Sequence, residues 1–244
     1  MSHQLSLNLR LKDASSFGNF LSGPNREALE QLRAAVVTAA TSDKASVPMM
    51  YLWGAEGSGK THLLQAACRL AQELGIAPVY MPLAEVVSLT PSLLEGVEAA
   101  PLVCLDDVES AAGLTEWESA LFSLVERLRA GGGMLVVGAL APPDRLGLRL
   151  PDLASRLAWG TVYAMQPLDD AQKLEAVRLR ARHRGFDMPE DVARYILSRY
   201  PRDLPSLFGL LDRIDQASLA QQRRVTIPFL RRLEELSREN AETA

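Results

Sequence analysis

Between positions 25 and 167, short apolar runs alternate with longer stretches of helical period. PMMYLW, APVYMPL, PLVCLDD, MLVVGA and TVYAMQPL are continuous apolar runs, the signature of strands buried on both faces. Asn25 to about Ala40, entered through Pro24, carries a helical pattern. So do KTHLLQAACRLAQEL, which stops at Gly75, and TEWESALFSLVERLRA. Strands separated by helices in this way predict a parallel sheet covered on both sides. After Pro167 the strands cease. DDAQKLEAVRLRARHRG, PEDVARYILSRY, DLPSLFGLLDRIDQASLAQQ and TIPFLRRLEELSR are helical stretches in succession. The predicted organisation is a flexible tail over 1–13, an α/β unit over 14–167 and a small helical unit over 168–240.

Composition narrows the function classes. The 244 residues are 48% hydrophobic and 23% charged, enough for a real core. A net charge of −4 argues against a broad phosphate-reading surface. The helical unit holds 14 Lys/Arg against 12 Asp/Glu between Asp169 and Asn240, a balance that reads as solvated faces. Any DNA contact, through Arg223–Arg224 or Arg231–Arg232, is expected to be weak or indirect. Cys68 and Cys104 lie in apolar surroundings and read as small buried hydrophobes in a reducing compartment. His3, His62 and His183 are too scattered for a metal centre. No leader of basic then apolar residues opens the chain, and GGGMLVVGALAPP falls short of the roughly 20 apolar residues a membrane span needs. A cytoplasmic protein without membrane contact is expected. Trp53, Trp117 and Trp159 are expected to be packed, and Glu116 and Glu118 to be exposed.

The chemistry starts at GAEGSGKT, Gly54 to Thr61, which fits G-x-x-x-x-G-K-[ST] at every fixed position. A strand precedes it and a helix follows, so a chance glycine-rich turn is disfavoured. Gly57 and Gly59 let successive N–H groups curl around a β-phosphate. Lys60 brings a point charge to the β/γ oxygens, the Thr61 hydroxyl is a ligand for Mg²⁺, and the helix adds its positive end. Gly54, Glu56, Gly57, Ser58, Gly59, Lys60, Thr61 and His62 are the candidate residues for binding ADP or ATP. LVCLDD supplies the complementary acids: Asp106 to hold Mg²⁺ through water, Asp107 as the catalytic base. Asp107 is one methylene shorter than the glutamate usual there, so hydrolysis by the chain alone is expected to be slow.

A phosphate loop, an LDD strand and a helical lid together resemble the AAA+ superfamily, and the details resemble its DnaA branch. SFGNFLSGPNREAL is similar to the segment that wraps adenine there; YLWGAEGSGKTHLLQAAC, VCLDDVE, LPDLASRLAWG, RARHRGF and MPEDV continue the likeness. Over its length the chain resembles the Hda-like regulators of replication initiation, and ends at Ala244 without room for the initiator's DNA-reading domain. The resemblance implies that Arg156, in LASRL, is an arginine finger acting in trans, and that Arg202, in YPRDLPSLF, senses nucleotide from the lid. Without it, Arg156 reads as a surface arginine and Arg202 as a helix-capping ion pair. One position departs from the family: VVGALAPP puts Gly138, Ala139 and Leu140 where a polar threonine-and-aspartate sensor is usual, which weakens the case for self-hydrolysis.

The tail reads QLSLNL, where Leu5, Leu7 and Leu9 alternate with Ser6 and Asn8 behind Gln4. By pattern alone this is either an edge strand or an extended docking peptide. The resemblance implies docking on the β sliding clamp of DNA polymerase III. It further implies DnaA as partner, a homodimer or higher oligomer, and a negative regulator that stimulates hydrolysis of the initiator's ATP. The alternatives are a self-sufficient AAA+ ATPase or loader working as its own oligomer, and a non-enzymatic adaptor.

Overall fold

The computed structural model describes residues 15–41, 49–221 and 225–242. Gln4–Leu9 lies outside the described residues. The chain divides into two compact units, Met1–Pro167 and Leu168–Ala244.

The first unit runs α1 (Arg26–Thr41), β1 (Met50–Trp53), α2 (Lys60–Glu73), β2 (Pro78–Pro82), α3 (Leu83–Val86), β3 (Leu102–Asp106), α4 (Thr115–Gly131), β4 (Met134–Ala139), α5 (Pro151–Leu157) and β5 (Thr161–Ala164). The strands form one parallel five-stranded sheet in the order β2-β3-β4-β1-β5. In β1 to β4 alternate residues serve opposite cores, which is why these strands read as unbroken apolar runs; β5, expected to be buried on both faces, is instead largely exposed because it lies at the sheet edge. Tyr51, Val103, Leu105, Leu135 and Val137 face α4 and α5, meeting Leu121, Leu124, Leu128, Leu153 and Leu157. Met50, Leu52, Leu102, Cys104 and Val136 face α1 and α2, meeting Leu32, Leu63, Leu64 and Cys68. Each leucine so buried contributes roughly 1.5–3 kcal/mol of transfer free energy.

The apolar run TVYAMQPL makes a shorter strand than its length predicts. β5 ends at Ala164 because the backbone of Gln166 is taken by a side chain: the Asn25 amide donates to its carbonyl and accepts from its N–H, both at 2.8 Å. The stretch from Leu83 to Ala99, unassigned by pattern, folds as α3 and two 3-10 turns, Pro91–Leu94 and Val97–Ala99, with Gly96 left-handed between them.

Two expectations are overturned. Glu118 is fully buried, not exposed, because its carboxylate collects the N–H groups of Gly113 (2.7 Å), Arg149 (3.0 Å) and Leu150 (2.7 Å). Glu116 is exposed, as its helical position suggests. Trp117 is buried and Trp53 half-buried, but Trp159 is 45% exposed, since it lies in the turn between α5 and β5 beyond either core.

The second unit is helical: α6 (Asp170–His183), α7 (Glu190–Arg199), α8 (Leu204–Gln221) and α9 (Ile227–Glu242). Asp169 and Gln172 form a reciprocal capping box that starts α6. Val177, Ala181, Ile196, Leu207, Leu211 and Leu230 build its core. Both cysteines are free and buried, and burial beside Cys68 pushes the Cys104 thiol up. Among the described residues no helix is long and apolar enough to cross a membrane, and no His/Cys/Asp/Glu cluster has metal-binding geometry.

Candidate functional site: a phosphate loop, an acid pair and an outlying arginine

Gly54 leaves β1 where a Cβ would lie 2.4 Å from the Met165 carbonyl oxygen, so no larger residue fits. Gly59 is left-handed (φ +96°) and caps α2 without a side-chain acceptor. Its missing Cβ makes room for Phe20, whose ring edge would stand 2.6 Å away. Lys60 is buried, its Nζ donating to the carbonyls of Gly54 (2.7 Å) and Ala55 (3.1 Å) and to Ser58 Oγ (3.5 Å). Burial depresses the Lys60 pKa, while Asp106, Glu109, Asp107 and Glu56 oppose that shift. Ser58 is buried, whereas Glu56 and Thr61 are exposed at the loop. An uncapped helix start, a curled glycine loop and a buried ammonium make a cradle for a polyphosphate.

The segment ahead of α1 is fastened to this loop. Ser15 Oγ donates to Gln65 Oε1 at 2.9 Å. His62 Nε2 lies 2.9 Å from the Ser16 carbonyl oxygen, and its ring meets Phe20 edge-on with centroids 5.3 Å apart. The residues that resemble an adenine-wrapping segment thus lie against α2 and the phosphate loop.

Asp106 ends β3 fully buried. Its Oδ2 accepts from the Tyr80 hydroxyl at 2.9 Å and its Oδ1 from the Asp107 N–H at 3.2 Å. Gln65 Nε2 reaches the Tyr80 hydroxyl at 3.4 Å. Asp107 sits in left-handed backbone (φ 54°), and burial, followed by the charges of Asp106 and Glu109, raises its pKa to about 6. Such a carboxylate is ionised at neutral pH yet basic enough to accept a proton. Carboxylate oxygens accept more than one contact each, so Asp106 with the Thr61 hydroxyl fits a hydrated Mg²⁺.

The missing sensor has a steric reason. A Cβ on Gly138 would lie 2.5 Å from Asp106 Oδ1, so a side chain there and the acid in its observed place exclude one another. Beyond it, the Leu140 N–H donates to Glu109 Oε2 at 3.1 Å. Glu109, Tyr80 and Asn25 escaped the sequence reading. Only the closeness of Glu109 to the LDD acids pointed to it; the other two act through chain pairings that no local pattern encodes.

Arg156 is not part of this cluster. It lies in the last turn of α5, and Thr161 at the start of β5 pairs with Met50, the first residue of β1. The phosphate loop leaves the other end of β1 after Trp53, about 10 Å along the strand. The Arg156 guanidinium lies over the Trp159 ring at 3.8 Å, and its Nε stands 2.8 Å from Glu126 Oε1, an ion pair out of hydrogen-bond alignment. Its side chain remains 30% exposed. In the helical unit, exposed Arg202 donates to Asp170 Oδ2 (2.7 Å) and, through Nε, to the Leu197 carbonyl near the end of α7 (3.2 Å).

Comparison with known proteins fits this geometry. Residues 11–81 match the family described as bacterial DnaA ATPase domain, and residues 170–233 the family described as Hda, lid domain. The chain is an Hda-like, DnaA-related AAA+ protein. Its fold is shared with domain III of DnaA from Thermotoga maritima: TM-score 0.71 at 22% identity, over 92% of this chain and 97% of that one. AMPPCP-bound DnaA from Aquifex aeolicus follows at TM-score 0.67 and 22% identity, with 84% of this chain against 65% of that one. The RuvB branch-migration motor of Thermotoga maritima shares the fold more distantly, at TM-score 0.62 and 16% identity, over 91% and 73% of the two chains. This DnaA-related chain therefore joins a five-stranded AAA+ sheet to an Hda-type lid.

Proposed function

We propose that this DnaA-related chain is a cytoplasmic negative regulator of chromosomal replication initiation. It holds ADP or ATP, docks on the β sliding clamp through Gln4, Leu5, Ser6, Leu7, Asn8 and Leu9, and offers Arg156 to ATP held by DnaA. Hydrolysis in the partner leaves the initiator in its inactive ADP form. The observation that carries the reading is the position of Arg156. It stands partly exposed toward the end of the sheet opposite its own phosphate loop, where it has no route to its own triphosphate.

The division of labour follows from the residues. Gly54 to Thr61 and His62 grip the nucleotide; Lys60 leaves its loop carbonyls for phosphate oxygens, whose negative charge opposes the depression that burial imposes on its pKa. Mg²⁺, held by Thr61 and Asp106, neutralises phosphate charge when bound. Asp107 is the proton acceptor, and Gly138–Leu140 offer no side chain to order a water, so turnover by the chain alone is slow. Arg202 and its Asp170 partner belong to the lid, where exchange of that ion pair for nucleotide is the sensing step. The planar fork of Arg156 stabilises transition-state charge in the neighbour, an effect of roughly 10³–10⁵ in rate for known fingers.

The test measures hydrolysis of DnaA-bound ATP with DNA-loaded clamp and this protein, wild type or Arg156→Ala. Loss of stimulation supports the reading; full stimulation by the alanine variant refutes it. Clamp pull-down with Leu7→Ala and Leu9→Ala tests the docking part, which fails if binding is retained. A second reading, a self-sufficient ATPase working as a homo-oligomer, is favoured by the proton-accepting Asp107 beside Lys60. Substantial turnover by the purified protein alone would select it.

A further inference from the structure

Trp159 is a large aromatic residue left 45% exposed, and it is not idle. Two guanidinium groups lie over its ring: Arg156 from α5 at 3.8 Å and Arg129 from α4 at 4.2 Å. On α4, Phe122, Glu126 and Arg129 recur at helical spacing on one face. Phe122 is 5.8 Å from the Arg156 guanidinium, and Glu126 Oε1 is 2.8 Å from its Nε. Arg156 is thus bounded by an aromatic plane, a second aromatic ring and a carboxylate while keeping part of its surface open to solvent.

This arrangement addresses the main weakness of an arginine finger, its long flexible stem. A guanidinium that must sample many rotamers is rarely in place when a neighbour's phosphate arrives, and a displacement of 1 Å at a reacting centre costs about 10²-fold in rate. A flat ring under the guanidinium fixes its plane without using up the N–H donors that a phosphate needs. The misaligned Glu126 pair acts in the same sense: it fixes Nε by charge while committing no aligned hydrogen bond. We propose that Trp159 is a positioning residue for Arg156, a clamp that presets the guanidinium for the partner's triphosphate. The inference rests on the in-trans reading of Arg156, and its test separates the two.

The experiment compares Trp159→Ala, Trp159→Phe and Arg156→Ala in the full chain. The assay follows hydrolysis of DnaA-bound ATP with DNA-loaded clamp, over a range of concentrations of the regulator. Trp159→Ala is expected to lower the maximal stimulated rate by roughly tenfold to a hundredfold, with the half-saturating concentration and melting temperature unchanged. Trp159→Phe, which keeps an aromatic face, recovers most of the rate. In the free protein, Arg156→Ala uncovers the ring and increases acrylamide quenching of tryptophan emission. If Arg156→Ala abolishes stimulation while Trp159→Ala keeps the full maximal rate, the clamp is refuted and the finger stands. If Trp159→Ala shifts only the half-saturating concentration, the ring is a docking contact and the proposal falls. Unchanged quenching in Arg156→Ala, or no recovery with phenylalanine, overturns it as well. Full stimulation by Arg156→Ala refutes the underlying finger reading instead.

Discussion

Removing the carboxylate of Glu118 strikes at the support of α5. The two oxygens take three backbone N–H groups: Gly113 and Arg149 on Oε1, Leu150 on Oε2. Gly113 lies in the turn before α4, and Arg149 and Leu150 lead directly into α5, so one side chain ties the start of one helix to the start of the other. A hydrogen bond to a charged group contributes about 1.5–3 kcal/mol, and a buried donor left unpaired costs about 1–3 kcal/mol. Against these stands the several kcal/mol needed to desolvate the carboxylate, which the mutant recovers. The net expectation for Glu118→Ala is a loss of about 3–5 kcal/mol, a large part of the 5–15 kcal/mol stability typical of a domain. Glu118→Gln keeps a carbonyl oxygen for Gly113 and Arg149 but turns an NH₂ toward the Leu150 N–H, so its loss is about 1.5–3 kcal/mol. Urea unfolding followed by far-ultraviolet circular dichroism and by tryptophan emission, with the two probes compared because the chain has two units, gives the numbers. Amide exchange at Arg149 and Leu150 is expected to accelerate in both variants. If alanine costs under about 1 kcal/mol, or glutamine equals wild type, the three bonds do not hold α5 and the reasoning fails.

Asp107 gives a pH dependence of defined sign. Its folded pKa of about 6 lies above the ordinary 3.8, so the native state holds the proton more tightly than the unfolded chain. Stability contributed by that proton is present below about pH 4, drains away as pH rises to about 6, and stays lost above it. Asp107→Asn is therefore expected to raise unfolding free energy at pH 7.5 by about 1 kcal/mol after discounting for partial exposure, read as a higher melting temperature, and not at pH 4; equal gains at both refute the shift. Gly138→Ala, measured by urea unfolding, should cost roughly 1–3 kcal/mol because Asp106 must move from a Cβ 2.5 Å away; a neutral result would show that the strand yields freely. Asn25→Ala removes both bonds to the Gln166 backbone and should cost about 1–3 kcal/mol, with faster amide exchange at Gln166 as its specific mark.

What the sequence disclosed was whatever is written locally. The central strands were legible because both faces are buried, so every position in Leu102–Asp106 is apolar until the acid. The phosphate loop was legible because its glycines and Lys60 act within eight consecutive residues. The strand order β2-β3-β4-β1-β5 was not, since parallel pairing leaves no mark on either partner alone. Glu118 misled for the same reason: an acid on a helix reads as solvated unless its acceptor role for Leu150, 32 residues away, is known. Trp159 misled in the opposite direction, because an aromatic flanked by Ala158 and Gly160 carries no sign that charged groups from α4 and α5 lie over it.

The contact between Gly138 and Asp106 ties the two positions together. Any side chain placed at 138 meets the acid in its observed position. A polar group there therefore asks the Asp106 carboxylate, with its bonds from the Tyr80 hydroxyl and the Asp107 N–H, to take another place. A single substitution at 138 thus acts on two positions at once, bringing in a side chain and displacing an acid.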